Sequence, residues 1–413
     1  MEMVLCRLLN IIQIALFLLG CYYLGIAAFS LKIVKRERIS DREHTYALIV
    51  AAHNEESVIA QLVSSLNELE YNKEKYKVFV VADNCTDKTA ENARNAGAVV
   101  LERFNTVKKG KGFALEYAFE HIFSLEESYE YICVFDADNI VKSDFLLHMN
   151  NKINEGYRAV QGYLDSKNPT DTWLTFAYSM WYWIYNRVSQ LSRGNLDMGC
   201  RLGGTGFAVE SELIREYGWG ATCLAEDTEF TLKLALSGIK VGWEHSAVVY
   251  DEKPQSLGTS MKQRRRWMQG LSDVASRYIE PLIRKGISEK KAMPINMVLN
   301  FWGDSLYCIA AGFFSVVYAA LLLSQKGRGI LEPVLDMWRT PENMLVLSLF
   351  VWGNIFVALA GLYNDRRLDK NIIKNCLGFI LYIVTWVPVA VMGIFGKDSE
   401  EWFHTPHSPK RNQ

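Results

Sequence analysis

YKVFVVADNCTDKTAENARNAG, residues 76–97, runs from an apolar strand at 76–82 through a polar turn at 83–87 into a segment with helical spacing. The stretch YALIVAAHNEESVIAQLVSSLNEL, residues 46–69, has the same order and breaks at 53–56. Strands that alternate with helices indicate βαβ units and a parallel sheet, which binds ligands at the carboxyl ends of its strands. Both polar turns occupy such ends, so we expect them to share one site.

A third strand end carries two carboxylates. YEYICVFDADNIV, residues 129–141, ends its apolar run in Asp136 and Asp138. Two carboxylates one residue apart suit Mg²⁺ or Mn²⁺, which take one or two protein carboxylates together with phosphate oxygens of a substrate. An isolated pair of this kind could equally be a solvated turn. Its position as third in a series of polar strand ends favours a metal site.

Two glycine-containing segments are candidates for contact with a ligand. KKGKGFAL, residues 108–115, includes Lys111 but lacks the Walker spacing GxxxxGK[ST], so it can approach a phosphate without being a P-loop. RLGGTGFAV, residues 201–209, includes Gly204 and Thr205. Its glycines would let the backbone approach a ligand closely, and an ordinary tight turn is the alternative.

Acidic and basic clusters follow further along the chain. Glu226 and Asp227 begin an amphipathic helix within residues 221–241. Helix capping explains one of these acids, which leaves the other for general-base chemistry. SMKQRRRWMQG, residues 260–270, combines three arginines with a tryptophan. The aromatic segment at 173–188 fits either a buried core helix or an amphipathic helix at a membrane surface.

The composition of the chain limits the classes of function that it can have. The 413 residues suffice for two or three domains with a sizeable core. The 45 basic and 46 acidic residues nearly cancel, which removes the broad positive field of a dedicated nucleic-acid binder. We therefore expect no nucleic-acid partner. The eight cysteines show no CxxC spacing, so neither a zinc site nor a disulfide framework is indicated.

Four long apolar segments predict a membrane protein. Residues 8–31 are uncharged, reach the roughly 20 residues that a spanning helix needs, and are long for a signal peptide, so we expect a retained anchor. Further apolar segments lie at about 295–324, 343–363 and 374–396. By the positive-inside rule, the basic residues after the anchor place the next segment in the cytosol; they are Lys32, Lys35, Arg36 and Arg38.

The number of crossings stays open. NDRRLDKN, residues 364–371, favours a cytosolic loop. Four crossings would leave the tail, 397–413, outside, whereas a re-entrant piece or a further crossing within 295–324 or around Pro388 would return it to the cytosol. Asp304 lies in an apolar segment, where an ionised carboxylate costs about 2.5–3.5 kcal/mol, so we expect it to face a partner, a wet cavity or the membrane edge.

Four motifs in order resemble the signature of membrane-integrated family 2 glycosyltransferases. They are Asp83 in VVADNCTD, the FDADN acids, Asp227 in LAEDTEF and the QRRRW sequence at 263–267. That group includes cellulose, chitin, hyaluronan and poly-N-acetylglucosamine synthases and some glycolipid-forming transferases. The resemblance covers roughly residues 45–275. It implies an α/β domain of GT-A fold, with a mixed, mainly parallel sheet, inserted between transmembrane helices.

The resemblance also implies roles for individual residues. Asp227 would be the catalytic base, and Asp138, with Asp136, would hold Mg²⁺ or Mn²⁺ and the diphosphate. The other implied substrate-binding residues are Ala52, His53, Asn54, Glu55 and Asp83 at the uridine, Lys111 near the phosphates, Gly204, Thr205 and Glu226 beside them, and Gln263, Arg266 and Trp267 in the QxxRW element. Many of these synthases have threonine where this chain has Ala225, which removes a hydroxyl near the acceptor.

The tail and the two remaining arginines of QRRRW receive separate predictions. Trp402, Thr405 and His407 are similar to a mobile segment that covers the nucleotide in several family members, provided that the tail is cytosolic. Arg264 and Arg265 are expected to contact anionic lipid headgroups.

The expected organisation is a sequence of five segments: a transmembrane helix at 1–31, a cytosolic GT-A domain at 40–253, interfacial helices at 254–290, a transmembrane region at 295–396 and a tail at 397–413. We expect a processive, inverting synthase that extends a β-linked polysaccharide from a UDP-sugar. A non-processive enzyme that glycosylates a membrane lipid is the alternative. The expected partners are the UDP-sugar, a growing glycan or lipid acceptor, membrane lipids and an accessory membrane subunit.

Overall fold

An eight-stranded mixed sheet forms the centre of the domain that the sequence predicts to be the catalytic domain. The computed structural model describes residues 2–32, 40, 42–220, 223–368 and 370–395. The strand order is β3-β2-β1-β4-β7-β6-β8-β5. The strands are Tyr46–Ala52 (β1), Tyr76–Asp83 (β2), Val99–Arg103 (β3), Tyr131–Asp136 (β4), Ile140–Val141 (β5), Ala159–Ser166 (β6), Phe207–Glu210 (β7) and Val241–Asp251 (β8).

Parallel pairing dominates this sheet. Strands β3, β2, β1 and β4 pair in parallel, as do β6 and β8, while β7 is antiparallel to both of its neighbours and β5 is antiparallel to β8. The predicted mixed, mainly parallel sheet is therefore confirmed. Strand β3 is a finding beyond the sequence analysis, which did not predict a strand at 99–103.

Register brings the predicted polar turns to one edge. Ala52 of β1 is paired with Ala82 of β2, and Ala51 is paired with Asp136 of β4. The residues after these strands therefore emerge side by side. Alternate side chains of β1 enter two cores on opposite faces of the sheet, with Ile49 on one face and Leu48 on the other. Burial on both faces explains the continuous apolar run of this strand.

Sixteen α-helices are defined in the described residues. The first nine are Glu2–Ala28 (α1), Ile59–Asn67 (α2), Thr89–Asn95 (α3), Lys111–Phe123 (α4), Phe145–Asn154 (α5), Trp173–Tyr185 (α6), Ser192–Asn195 (α7), Ser211–Tyr217 (α8) and Glu226–Leu236 (α9). The others are Leu257–Ser288 (α10), Ala292–Val298 (α11), Asp304–Leu322 (α12), Gln325–Arg339 (α13), Pro341–Asn364 (α14), Lys370–Val384 (α15) and Trp386–Phe395 (α16). Segments Asn186–Leu191 and Leu299–Gly303 are π-helical.

Within the described ranges, three stretches are long and apolar enough to cross a membrane: Cys6–Leu31, Pro341–Asn364 and Lys374–Ile394. They match three of the four predicted segments. The fourth predicted segment, 295–324, consists of the end of α11, a π-helical turn at Leu299–Gly303 and helix α12, and a span there stays a prediction. Among the described residues of this segment, Gly312–Leu322 forms a shorter apolar helix.

Several predictions fall outside the described residues. They concern Lys35, Arg36, Arg38, the side chain of Asp304, and Trp402, Thr405 and His407 of the tail.

The aromatic helix α6 lies between the catalytic core and the apolar helices. Phe176 and Trp183 are buried in a core that also contains residues of the sheet. Tyr178 faces α15, where its ring centroid lies 5.1 Å from that of Tyr382. The core interpretation of this segment therefore accounts for one side of the helix, and the other side packs against an apolar helix.

The loop between α14 and α15 is tied to the catalytic domain. Asp365 forms an ion pair with the buried Arg187 and lies 3.1 Å from Nε2 of His245. Arg367 forms a second ion pair with Asp165 at the end of β6. Arg187 also donates through Nε to the carbonyl of Ser30, 3.0 Å away, just after α1. The ends of two apolar helices thus meet one face of the catalytic domain.

Candidate active site

A cavity of about 1780 Å³ opens at the carboxyl ends of the strands. All the predicted site residues line it except Asn54. Asn54 is exposed, has a φ of 56°, and accepts a hydrogen bond from the backbone N–H of Thr86 at 2.8 Å. This asparagine therefore shapes the turn between strands. The lining residues are Ala52, His53, Glu55, Asp83, Lys111, Asp136, Asp138, Gly204, Thr205, Glu226, Asp227, Gln263, Arg266 and Trp267.

One end of the cavity is built on Asp83. This buried carboxylate forms an ion pair with the buried Arg103, which faces it in the register of β2 and β3. His53 Nδ1 lies 2.6 Å from the carbonyl of Asp83. Arg103 also donates through Nη2 to the carbonyl of Lys108 at 2.7 Å. The sequence analysis missed Arg103, because its pairing with Asp83 depends on a strand that was not predicted.

Lys111 connects the acidic groups of the cavity. It is the first residue of α4, and Nζ donates to the carboxylate of Asp136 and, at 2.6 Å, to the carbonyl of Gly204. Burial alone would lower the pKa of Lys111, but the negative charges of Asp136, Glu226 and Asp227 outweigh it and raise that pKa. The ammonium group therefore stays charged in the cavity.

Asp136 and Asp138 offer part of a metal shell. The backbone N–H of Asp136 donates to Thr205 Oγ1 at 3.0 Å, which fixes the turn, and Oδ1 of Asp138 accepts from the side chain of Asn139 at 3.1 Å. In the described part of the chain, no group of three or more His, Cys, Asp or Glu residues could hold a metal. Two carboxylates that line an acid-rich cavity suit a hard divalent ion that completes its shell with phosphate oxygens.

Glu226 and Asp227 form the first turn of α9 and both line the cavity. Burial, with the neighbouring charge of Asp227, raises the pKa of Glu226 to about 7. Burial also raises the pKa of Asp227, although its hydrogen bond from the Thr228 N–H, at 2.7 Å, opposes this shift. Gly204 approaches closely, because a Cβ there would lie 3.4 Å from Asp227 Oδ2. A carboxylate with a raised pKa in a cleft is typical of a catalytic acid or base.

The QRRRW segment lies on α10 and divides its three arginines. Arg266 lines the cavity, and its Nε has no hydrogen-bond partner among the described residues. Arg265 is exposed, whereas Arg264 is fully buried. The prediction that Arg264 contacts lipid headgroups is therefore wrong, because helix α10 turns this side chain into the protein. Gln263 accepts a hydrogen bond from the hydroxyl of Tyr178 at 2.9 Å.

The model for "Glycosyltransferase like family 2" matches residues 44–270, more than half of the chain. The chain belongs to this family. The matched range contains every residue that lies at the strand ends of the cavity, together with the QRRRW segment. The protein is thus a glycosyltransferase, as the four motifs predicted.

Two curated relatives of this family 2 glycosyltransferase have different products in their names. This chain is 26% identical over 358 residues to the poly-beta-1,6-N-acetyl-D-glucosamine synthase of Staphylococcus epidermidis, and the alignment covers 83% of this chain and 79% of the relative. It is 28% identical over 271 residues to the beta-monoglucosyldiacylglycerol synthase of Nostoc sp., covering 61% of this chain and 54% of that one. The second alignment thus spans about half of the relative.

A solved structure shows the same fold. The mannosyltransferase of Pyrobaculum calidifontis, in complex with GDP-Man and Mn²⁺, matches with a TM-score of 0.58 and 19% sequence identity. The match covers 86% of this chain and 98% of that chain. The catalytic domain of the family 2 glycosyltransferase therefore has the GT-A fold.

The cavity of the family 2 glycosyltransferase continues beyond the strand ends. Its lining includes Tyr23 of α1, Tyr307 of α12, Asn354 of α14 and Trp386 of α16. These residues come from parts of the chain that are far apart in sequence, so no local signal could have assigned them to the site. The cavity therefore joins the acidic strand ends to the apolar helices.

Asp251 and Arg201 also line the cavity and were missed. Asp251 ends β8 and forms an ion pair with the buried Lys253, whose Nζ lies 2.6 Å away. An acid at a strand end was the signal that identified Asp136, and the same signal would have found Asp251. The guanidinium of Arg201 lies 4.9 Å from the ring centroids of both Tyr185 and Phe301.

Proposed function

We propose that this glycosyltransferase is an inverting, processive synthase that extends a β-linked polysaccharide from a UDP-sugar and moves it across the membrane. The continuity of the cavity carries this proposal. Its lining runs from Asp136 and Asp227 at the strand ends to Tyr23 and Asn354 on two of the membrane-spanning candidates and to Tyr307 on α12. A glycan formed at the carboxylates would meet polar and aromatic side chains along this route.

Asp227 is proposed as the base that removes the proton of the acceptor hydroxyl. It lines the cavity at the start of α9, and its raised pKa fits a group that must accept a proton near neutral pH. The hydroxyl oxygen then bonds to the anomeric carbon as the bond to the diphosphate breaks, which inverts the configuration. Glu226 is proposed to line the same acceptor position.

The donor is proposed to lie along the strand ends. Asp83, with Ala52, His53 and Glu55, would hold the uridine, and Asn54 would act through the shape of its turn. Lys111 and Arg266 would meet the diphosphate, where their charges oppose the negative charge that builds on the leaving group. Arg266 suits this role because its fork fits phosphate oxygens.

The metal is proposed to be Mg²⁺ or Mn²⁺, held by Asp138 with support from Asp136. A divalent cation supplies charge neutralisation at the diphosphate oxygens when it is bound. The turn is prepared for it, because the buried Thr205 accepts from the N–H of Asp136 and donates to the side chain of Asn139. The remaining ligand positions would be filled by the substrate.

The acceptor sugar is proposed to stack on Trp267. An indole face suits the CH-rich face of a pyranose. Beyond it, the lining includes Tyr23, Tyr307 and Asn354. The oxygens of these side chains can accept hydrogen bonds from sugar hydroxyls, whereas an acyl chain has no hydrogen-bond donor to offer them. This polar lining beside apolar helices favours a glycan.

A lipid acceptor is the second candidate. Ile383, Trp386 and Ala390 line the cavity and form an apolar wall. Trp386 and Ala390 belong to the same apolar cluster as Met268 of α10. Such a wall suits the acyl part of a glycolipid. Similarity to a glucosyldiacylglycerol synthase supports the same alternative.

Product length separates the two candidates. The purified protein in detergent is incubated with Mg²⁺ or Mn²⁺ and each of three radiolabelled donors: UDP-glucose, UDP-N-acetylglucosamine and UDP-glucuronic acid. We expect one donor to yield a ladder of long, detergent-soluble glycan. A product of one or two sugars on extracted lipid would reject the polymer proposal and support the lipid acceptor.

Three variants test the site, and Arg265→Ala is the control among them. Asp227→Asn should lower transfer roughly 100- to 10,000-fold while UDP binding persists. Arg266→Ala should abolish transfer, whereas Arg265→Ala should weaken it much less, since Arg265 is exposed and outside the cavity lining. Equal losses at 265 and 266 would contradict this division of roles.

The proposed location is a cell membrane, with several crossings and the catalytic domain in the cytosol. The proposed boundaries are those expected from the sequence: a GT-A domain at 40–253 and interfacial helices at 254–290. The long α10, Leu257–Ser288, supports the second boundary, because it packs against α9 on one side and α16 on the other.

A further inference from the structure

Arg264 is a buried arginine that the proposed chemistry does not use. It lies on α10 between Gln263 and Arg265, and its side chain is 0% exposed. It is also absent from the cavity lining, although Gln263 and Arg266 belong to it. A guanidinium group without water is costly unless its surroundings compensate the charge.

Part of this compensation comes from the carbonyl of Ser260 on α10, which accepts from Arg264 Nε at 3.3 Å, and the rest from the junction between α15 and α16; Nη1 has no hydrogen-bond partner among the described residues. Arg264 Nη2 donates to Thr385 Oγ1 at 2.9 Å, and Thr385 is the residue that separates the two helices. The guanidinium carbon lies 4.6 Å from the ring centroid of Tyr382 and 5.0 Å from that of Trp386. Arg264 thus holds one residue from each helix and the hydroxyl between them.

The same junction reaches the cavity. Trp386 lines it, and so does Trp267 on the turn of α10 that carries Arg264. A chain of ring contacts connects the two tryptophans: Trp267 to Tyr178 at 6.4 Å, Tyr178 to Tyr382 at 5.1 Å, and Tyr382 to Trp386 at 6.5 Å. Arg264 lies against the last two rings of this chain.

We propose that Arg264 is a positioning residue that fixes Trp267 and Trp386 relative to each other and thereby sets the acceptor end of the cavity. The proposal rests on the function proposed above, which assigns that end to the acceptor. A purely structural arginine could be replaced by an apolar residue of similar size at little cost, and often with a gain in stability. Arg264 instead contacts both helices and the hydroxyl between them, which indicates that it holds these groups in a fixed relative position.

The neighbouring Arg265 provides a matched control. It has the same chemistry on the same turn, but it is exposed. The test compares Arg264→Met and Arg264→Lys with Arg265→Met and Arg265→Lys. For each protein, three properties are measured: the rate and the KM for hydrolysis of the best UDP-sugar without acceptor, the KM for a short β-linked oligosaccharide of the same sugar, and the product length.

We expect Arg264→Met to raise the KM for the oligosaccharide about tenfold or more and to shorten the product, while KM for the UDP-sugar changes less than twofold. Arg264→Lys should restore part of the loss, and both Arg265 variants should stay within twofold of the wild type. An unchanged oligosaccharide KM in Arg264→Met would overturn the proposal. An equal loss of donor hydrolysis and oligosaccharide transfer would also overturn it, since that pattern indicates general unfolding.

If the Arg264 variants do not fold, Thr385→Val tests the positioning role of Arg264 instead. It removes only the hydroxyl that accepts from Nη2. We expect a smaller rise of the oligosaccharide KM in the same direction, with an unchanged melting temperature; an unchanged KM would reject the proposal. If the wild type makes only short lipid products, the polymer proposal fails, and the same variants are then compared by KM for that lipid.

Discussion

Burial moves the ionisation of the Glu226 carboxyl towards neutral pH. Burial and the adjacent charge of Asp227 raise its pKa from 4.5 to about 7. The folded protein therefore binds more protons than the unfolded chain between these values. The contribution of Glu226 to stability is complete below about pH 4.5 and is lost as pH rises to about 7.

Glu226→Gln should therefore stabilise the protein at pH values where the wild-type carboxyl ionises, and have little effect on stability in acid. In detergent without metal or nucleotide, we expect its melting temperature to match the wild type near pH 4 and to exceed it at pH 8, by an amount equivalent to at most about 3 kcal/mol. Asp227→Asn should shift in the same direction, since burial also raises the pKa of Asp227. A difference between variant and wild type that is equal at both pH values would contradict the assigned pKa shift.

At this scale all the site residues predicted from the sequence except Asn54 line the cavity. Asp136, Asp138 and Asp227 were identifiable because acids at strand ends and helix starts stand out against apolar runs. Arg103 was not identifiable, because its ion pair with Asp83 forms only when β3 pairs with β2. Buried Arg264 was misassigned, since three consecutive arginines look alike until a helix gives each one a direction.

At the scale of elements, α10 lies close to the N-terminus of α9, whose first turn carries the proposed base. A Cβ on Gly270 would lie 2.7 Å from the Cβ of Ala225 and 2.9 Å from its backbone nitrogen. Neither distance is compatible with ordinary packing, so any side chain at 270 must push α10 and α9 apart. The residues displaced would be Glu226 and Asp227, which directly follow Ala225.

Gly270→Ala should therefore destabilise the protein by about 1–3 kcal/mol and lower transfer at saturating donor. Gly258→Ala is the matched control on the same helix, because a Cβ there meets nothing within 4 Å. That control should gain up to about 1 kcal/mol from helix propensity and keep full activity. Thermal unfolding and radiolabelled transfer measure both effects; similar behaviour of the two variants would show that α10 does not hold the acidic turn.

The elements that the sequence did not predict are those set by tertiary context. β3 is short, and its amphipathic pattern is weak without its partner β2. The segment 295–324 has the composition of a single span, but its chain forms a π-helical turn at Leu299–Gly303, where Phe301 and Trp302 are buried. Helix α13, in the gap between two predicted spans, was also missed.

For the whole molecule, the ion pairs of the α14–α15 loop constrain the topology. Asp365 and Arg367 attach this loop to Arg187 and Asp165 of the catalytic domain, so the loop and the domain would share one side of any membrane that α14 crosses. Helix α14 has 24 residues and is about 36 Å long, which suffices to cross the hydrocarbon core. Its other end adjoins α13, which would then lie on the opposite side.

Labelling from one side of the membrane tests this arrangement. In a background with the exposed Cys21 and Cys376 replaced by serine, single cysteines are introduced as Arg366→Cys in the loop, Glu120→Cys on the catalytic domain and Arg328→Cys on α13; all three positions are exposed. In intact cells, a membrane-impermeant maleimide should label Arg328→Cys alone, and permeabilisation should expose the other two. Labelling of Arg366→Cys and Arg328→Cys under the same condition would place both ends of α14 on one side and refute the crossing. Labelling of Glu120→Cys in intact cells would instead refute the cytosolic orientation, because the loop and the domain must share a side whichever side it is.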